Sequence, residues 1–164
     1  MKELVFEAAS EQDTDRFGRA LAAALGGRGD GPGVTIALCG TLGAGKTRLV
    51  QALAAACGVA REEVVSPTFV LCQQYQGDRT INHLDAYRLH DEDELRELGL
   101  EELLESSDLT IIEWADRVPD ALPDEYLRIE IEVVGPSARR FCAHWIGPEV
   151  ASPLAGLQRA LAVG

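Results

Sequence analysis

An α/β fold, with helices layered on both faces of a mixed sheet, is predicted by three observations. Two short apolar runs, Val34–Cys39 and Leu109–Ile112, lack the polar alternation of a half-exposed strand and suit central parallel strands. The first leads through the glycine-rich Gly40-Thr41-Leu42-Gly43-Ala44-Gly45-Lys46-Thr47 into an Ala- and Leu-rich helical run, Thr47 to Cys57, stopped by Gly58. Strand-like and helical segments then alternate, with hairpin signals added, so a P-loop NTPase-like three-layer fold with a parallel core and extra hairpin strands is expected. A chain of 164 residues suits a single domain over residues 1–164.

Each element has its own signal. Leu4-Val5-Phe6 reads as a short first strand. Ser10 followed by Asp13 resembles a helix cap with an acidic first turn, and Phe17, Leu21 and Leu25 follow at helical spacing. Residues 26–33 form a flexible connector whose Arg28-Gly29-Asp30 is accidental. Within Val64–Leu71, Pro67 pushes Ser66 out of helical geometry, which gives an extended turn feeding a strand. The runs Val70–Tyr75 and Thr80–Asp85, split by Gln76-Gly77-Asp78-Arg79, read as a hairpin.

Residues 91–105 are acidic and helical, with Leu95, Leu98, Leu103 and Leu104 as an apolar stripe. A solvated face is the plainer reading of such charge, and a docking surface for a basic partner is the alternative. Leu109–Glu113 is the second buried strand. Leu127–Val134 and Arg140–Trp145 are two more, joined at Gly135-Pro136-Ser137. A last helix starts at Ser152-Pro153, a cap with proline at the first helical position, and turns Leu154, Leu157 and Leu161 toward the core.

Composition excludes several roles. With 27 acidic against 15 basic residues the net charge is −12, which argues against gripping a bare nucleic-acid backbone or an anionic membrane. No run approaches the length of a membrane span, and the charged N-terminal stretch shows no signal peptide. Cys39, Cys57, Cys72 and Cys142 have no metal-ligand spacing; Cys39 and Cys57 lie in apolar elements, which fits a reducing cytoplasm.

The glycine-rich stretch fits the phosphate-binding loop pattern. Glycines bring the backbone close to a ligand, and N–H groups at the following helix N-terminus favour phosphate. Lys46 would place an ammonium on the β/γ-phosphates, and the Thr47 hydroxyl would ligate Mg²⁺. Only two of the basic residues are lysines, Lys2 and Lys46. A chain that otherwise uses arginine keeps a compact point charge here.

Such a site needs a carboxylate at the end of a buried strand, to hold the metal shell or orient water. Glu113, after the more continuous apolar run, takes the metal role. Asp85, after a run alternating enough for a half-exposed hairpin strand, takes water orientation; the two assignments are interchangeable on pattern alone. Ser66 and Thr68 stand where a switch loop would meet the γ-phosphate, or form a structural turn. His83 reads more readily as a packed strand histidine than as a catalytic one. Arg88 either neutralises phosphate charge or pairs with the acidic helix, and Trp114 either covers the nucleotide or is core.

The loop, then Ser66-Pro67-Thr68-Phe69, then His83-x-Asp85-x-Tyr87-Arg88-Leu89, then Ile112-Glu113-Trp114, in that order, resemble the TsaE (YjeE) family over residues 10–133. These are small bacterial ATPases of the machinery that forms threonylcarbamoyladenosine at position 37 of tRNA. The resemblance implies ATP held by Leu42, Gly43, Ala44, Gly45, Lys46, Thr47 and Arg48, with Thr68 as a switch contact and Trp114 beside the nucleotide. It implies Mg²⁺ on Thr47 and Glu113, catalysis by Asp85, Lys46 and Glu113, and a base pocket near Glu11 and Thr14. It further implies work with a transferase subunit and its companion, which the ATPase resets between turnovers, and contact with tRNA only through them. Two departures stand out: Thr41 replaces the family's usual Asp beside the loop, and Ala115-Asp116-Arg117 follows Trp114 where Pro is frequent. The C-terminal strands and helix carry no usable motif. A partner-dependent, intrinsically slow cytoplasmic ATPase is therefore expected, with a small-molecule kinase or a non-hydrolysing nucleotide-dependent adaptor as alternatives.

Overall fold

The computed structural model describes residues 1–27, 29, 31–65, 72–87, 89 and 91–164. Seven strands form one sheet in the order β1-β7-β6-β2-β5-β4-β3. They are β1 (Glu3–Ala8), β2 (Val34–Gly40), β3 (Cys72–Gln76), β4 (Thr80–Asp85), β5 (Leu109–Glu113), β6 (Tyr126–Val133) and β7 (Arg139–Ile146). The neighbours β6-β2-β5-β4 run parallel, while β1, β7 and β3 attach antiparallel. The mixed sheet with a parallel core and added hairpins thus agrees with expectation.

One face is covered by α1 (Glu11–Ala24), α2 (Lys46–Ala56) and α5 (Leu154–Val163), whose Phe17, Leu21, Leu49, Leu53, Leu154 and Leu157 pack with Ile36, Leu38, Ile111, Ile129 and Phe141. Gly18 sits where α1 crosses α2, and a Cβ there would come within 2.5 Å of the Ala52 Cβ. The other face carries α3 (Glu92–Glu97) and α4 (Leu100–Glu105), which bury Leu95 and Leu100 against Ala37, Leu84 and Ile112. These short helices replace the single acidic helical region expected over 91–105. The break is Gly99, left-handed at φ 81°; most of the acidic side chains are exposed, Glu92 and Glu94 partly so, while Leu95 and Leu100 are buried. Burying apolar area in this way, at about 25 cal/mol per Å², is what holds the three layers together.

Several local expectations are corrected. The hairpin strand β4 is interior: every residue from Ile81 to Asp85 is buried between β5 and β3. Its polar positions mimic an exposed alternation because each is satisfied internally, as when Asn82 Nδ2 donates to Asp108 Oδ2 at 3.2 Å. Ser10 precedes α1, but its hydroxyl makes no cap; Asp13 Oδ2 reaches back instead and accepts the Ala9 N–H at 2.9 Å. The last helix begins one residue later than expected, at Leu154, whose N–H is accepted by Ser152 Oγ.

The connector expected to be flexible is tied down in its described part by the buried Arg79. Its guanidinium donates to the carbonyls of Leu25, Gly26, Pro32 and Ser107. Among the described residues this buried charge meets four carbonyls, and it holds its place by hydrogen bonding. All four cysteines are free, with Cys39 and Cys57 buried as expected.

Candidate functional site

The site is assembled by strand register. Strands β2, β5 and β4 are parallel neighbours, so their carboxyl ends share one edge of the sheet. Leu38 pairs with Glu113, and Glu113 pairs with Asp85. The loop after β2 therefore opens beside both carboxylates, at the strand ends where open α/β sheets place ligands.

In the loop, Gly43 (φ 78°) and Gly45 (φ 104°) are left-handed, a conformation that side chains other than Gly rarely adopt. A Cβ on Gly43 would meet nothing within 4 Å, so its left-handed backbone rather than lack of space calls for glycine. Left-handed residues ahead of a helix can turn successive N–H groups inward, and the loop runs into the N-terminus of α2, where such groups favour an anion. Lys46 Nζ folds back to donate to the carbonyls of Gly40 at 2.7 Å and Thr41 at 3.0 Å. It also lies 3.8 Å from the centroid of the Trp114 ring. Burial draws the Lys46 ammonium below the ordinary lysine range, while the charges of Glu113, Asp116 and Asp85 pull the other way.

Thr47 Oγ1 lies 3.2 Å from each Glu113 oxygen. Glu113 is buried and touches the fully buried His83, whose Nε2 contacts Oε2. Asp85 Oδ1 accepts the Tyr87 N–H at 2.8 Å. Burial lifts the Asp85 carboxyl above its ordinary range, the Tyr87 N–H opposes that, and Glu113 adds to it. Trp114, following Glu113, is half-buried and is the single non-glycine residue at positive φ (58°) among the described residues. Its ring packs 4.8 Å from that of Tyr87.

A separate cavity of about 250 Å³ abuts the other side of the loop, lined by Glu11, Thr14, Gly43, Ala44, Gly45, Arg48 and by Pro136, Ser137, Arg139 and Phe141. Glu11 and Thr14 thus lie beside the loop, lining the same cavity as Gly43, Ala44 and Gly45. Arg48 is held by Asp15 through contacts of 3.1 and 3.2 Å. The Leu42 side chain stands 79% exposed at the loop tip, outside this lining, and the Thr41 side chain is exposed as well. Ser66, Thr68 and Arg88 lie outside the described residues.

Arg139 and the 135–138 turn escaped sequence reasoning. Arg139 Nε donates to the Ala44 carbonyl at 2.9 Å, and its Nη1 donates to Gly135 and Ala138. Because β6 runs parallel to β2, its far end reaches the loop and carries the turn with it. The only signal was the Gly-Pro-Ser turn, and nothing in its spelling says what it faces. Tyr75 was read only as the end of a hairpin strand, and nothing in the sequence signals its contact with His83.

What the site can do is bind a phosphorylated ligand along the loop and present hard oxygen donors, Thr47 and Glu113, beside it. The pattern of Threonylcarbamoyl adenosine biosynthesis protein TsaE matches residues 8–141. The chain is 36% identical over 130 residues to the tRNA threonylcarbamoyladenosine biosynthesis protein TsaE of Treponema pallidum, covering 79% of this chain and 92% of that one. It is 33% identical to the Bacillus subtilis protein of the same name, over 90% and 89% of the two chains. The crystal structure of Bacillus subtilis YdiB superimposes with a TM-score of 0.75 at 26% identity, over 96% of this chain and 95% of that one. The order of motifs, the strand register that brings the loop, Asp85 and Glu113 together and these matches agree, and the chain belongs to the TsaE family.

Proposed function

We propose that this protein is a Mg²⁺-dependent ATPase that supports threonylcarbamoyladenosine formation in tRNA, acting in the cytoplasm on the transferase subunit and its companion and resetting that complex between turnovers. The observation that carries the reading is the convergence of Lys46, Thr47, Asp85 and Glu113 on one sheet edge. The names of the relatives, which place those proteins in threonylcarbamoyladenosine biosynthesis, support the pathway.

The donor set fits magnesium. A small hard cation prefers oxygen ligands and usually takes one or two from protein, the rest from phosphate and water. Thr47 and Glu113 already share one spot at 3.2 Å, whereas one Asp85 oxygen is engaged by the Tyr87 N–H. That contrast supports Glu113 as the metal carboxylate and leaves Asp85 to orient water. When bound, Mg²⁺ neutralises charge on the β- and γ-phosphates.

The chain's own groups do the rest. Loop N–H groups at the start of α2 hold phosphate oxygens. Lys46 leaves the Gly40 and Thr41 carbonyls for the phosphates. The cavity bounded by Glu11, Thr14, Pro136 and Ser137 receives the base. Contact with tRNA runs through the partners, in keeping with the net charge of −12.

Phosphate release from the purified protein with Mg-ATP, with and without the partner pair, tests this. Release that the pair stimulates is expected, and it should disappear in Asp85→Ala and Glu113→Ala. Nucleotide binding without any release would leave an adaptor. Full stimulated release by both variants would sink the site assignment.

A further inference from the structure

Besides Thr47, one other described side chain bonds to the Glu113 carboxylate, and the reading above gives it no task. His83 Nε2 contacts Glu113 Oε2, and on the other side of the ring the Tyr75 hydroxyl lies 3.0 Å from Nδ1. The same hydroxyl is 2.7 Å from Gln73 Oε1 and 3.5 Å from the Val65 carbonyl. Tyr75, His83 and Glu113 come from β3, β4 and β5, so the line of contacts crosses three adjacent strands. All three are almost completely buried, at 5%, 0% and 3% exposure.

An imidazole in this position is an expensive choice for packing alone. Its β4 neighbours Ile81 and Leu84 and its register partner Ile111 are fully buried and apolar, and a leucine would fill such a space without polar atoms to satisfy. Here both ring nitrogens are partnered, and turning the ring would orphan one of them. A glutamate side chain, by contrast, has several rotatable bonds and loses rotamer freedom when fixed. We propose that His83, itself steadied by Tyr75, is a positioning residue that fixes the Glu113 carboxylate in the orientation that receives a divalent cation beside Thr47. The proposal rests on the reading of Glu113 as the metal carboxylate. Partners of this kind, one bond removed from a metal, typically govern affinity by about 10–100-fold.

Two substitutions of the ring separate its contacts. In His83→Gln the amide nitrogen extends about as far as Nε2 and keeps a donor for Glu113. In His83→Asn the shorter amide reaches only the Tyr75 side. Mn²⁺ binding in the presence of ADP is measured by electron paramagnetic resonance, and ADP binding in EDTA by calorimetry. His83→Asn should weaken Mn²⁺ binding about 10-fold or more, His83→Gln should stay within about 3-fold of the parent, and ADP binding in EDTA should be unchanged in both. Equal Mn²⁺ affinity in all three proteins overturns the proposal, and so does an equal loss in the two variants, which would indicate ring packing. If His83→Asn does not fold, Tyr75→Phe decides: unchanged Mn²⁺ affinity overturns the proposal, and a loss of about 3-fold with unchanged metal-free ADP binding sustains it. Glu113→Gln is the separate control. If it binds Mn²⁺ normally, the reading of Glu113 itself fails and the positioning role falls with it.

Discussion

On one side of the site the loop from Gly40 to Thr47 offers backbone, much of it open to solvent, with the Leu42 side chain 79% exposed. On the other side, β4 and β5 offer side chains, and Glu113 is only 3% exposed. Under the proposed function, the loop wall is to bind through peptide N–H groups whose polarity costs nothing extra to fold, and one ammonium. The carboxylate wall places charged groups in the sheet interior, where each must find partners or be desolvated at a loss. Under that proposal, binding strength and chemistry belong to different walls, which can be damaged separately.

The sharpest way to break that division is Asp85→Asn. The wild-type carboxyl is pushed above its ordinary range chiefly by burial, so the folded protein holds this proton more tightly than the unfolded chain does. Its contribution to stability is therefore present in full below the ordinary carboxylate range and is lost as pH rises through the raised folded value. Asp85→Asn should cut partner-stimulated turnover by about 10²–10⁴-fold. The same variant should melt higher than the parent at neutral pH, without nucleotide or metal, and the difference should shrink as the solution is acidified. A variant that is equally slow but less stable at neutral pH would show that Asp85 holds the fold rather than straining it.

Lys46→Met attacks the loop wall. It removes the one ammonium among the carbonyls of Gly40 and Thr41 and should weaken ATP binding by about 100-fold, near 3 kcal/mol, measured by calorimetry. Lys46→Arg should not restore it, because a planar fork cannot replace a point charge in this space. Rescue by arginine would mean that only charge matters at this position.

The two walls also differ in how far they can be read from the chain. The loop, its strand and its helix are contiguous, and glycine spacing plus apolar runs specify them locally. On pattern alone the metal role of Glu113 and the water-orienting role of Asp85 are interchangeable, since what distinguishes them is the tertiary contact of Thr47 with Glu113. Reading β4 as half-exposed went astray because Asn82 and His83 are polar yet fully buried, and pattern alone cannot tell internal satisfaction from hydration. Arg79, which looked like part of a turn, instead fastens the connector through carbonyl contacts that depend on tertiary structure. Arg139 was invisible for a similar reason. It reaches the loop only because the β6–β7 hairpin ends beside it, a consequence of strand order.

Arg139→Met is accordingly a test of the loop wall alone. It removes the donor to the Ala44 carbonyl and frees the turn at Gly135 and Ala138. ADP binding in EDTA should weaken about 10-fold, as expected for losing one or two charged hydrogen bonds. The ratio of affinities with and without Mg²⁺ should stay at the parent value. A changed ratio would mean that the turn communicates with Glu113, and the separation of the walls would fail.

Trp114 is where the walls touch, and it gives the smallest expected effect. Its left-handed backbone, uncommon for a residue with a side chain, sets the ring against Lys46 Nζ at 3.8 Å. In this arrangement the ammonium rests on an aromatic face and two carbonyls, all of which a phosphate must outcompete. Trp114→Phe weakens that face, since indole is the better cation partner, by about 0.5 kcal/mol. If the ring serves chiefly to hold the resting lysine, calorimetry should show nucleotide binding tightened by about 2-fold. If the ring instead covers bound nucleotide, the same substitution loosens binding. The sign of a small number therefore decides which of the two walls Trp114 belongs to.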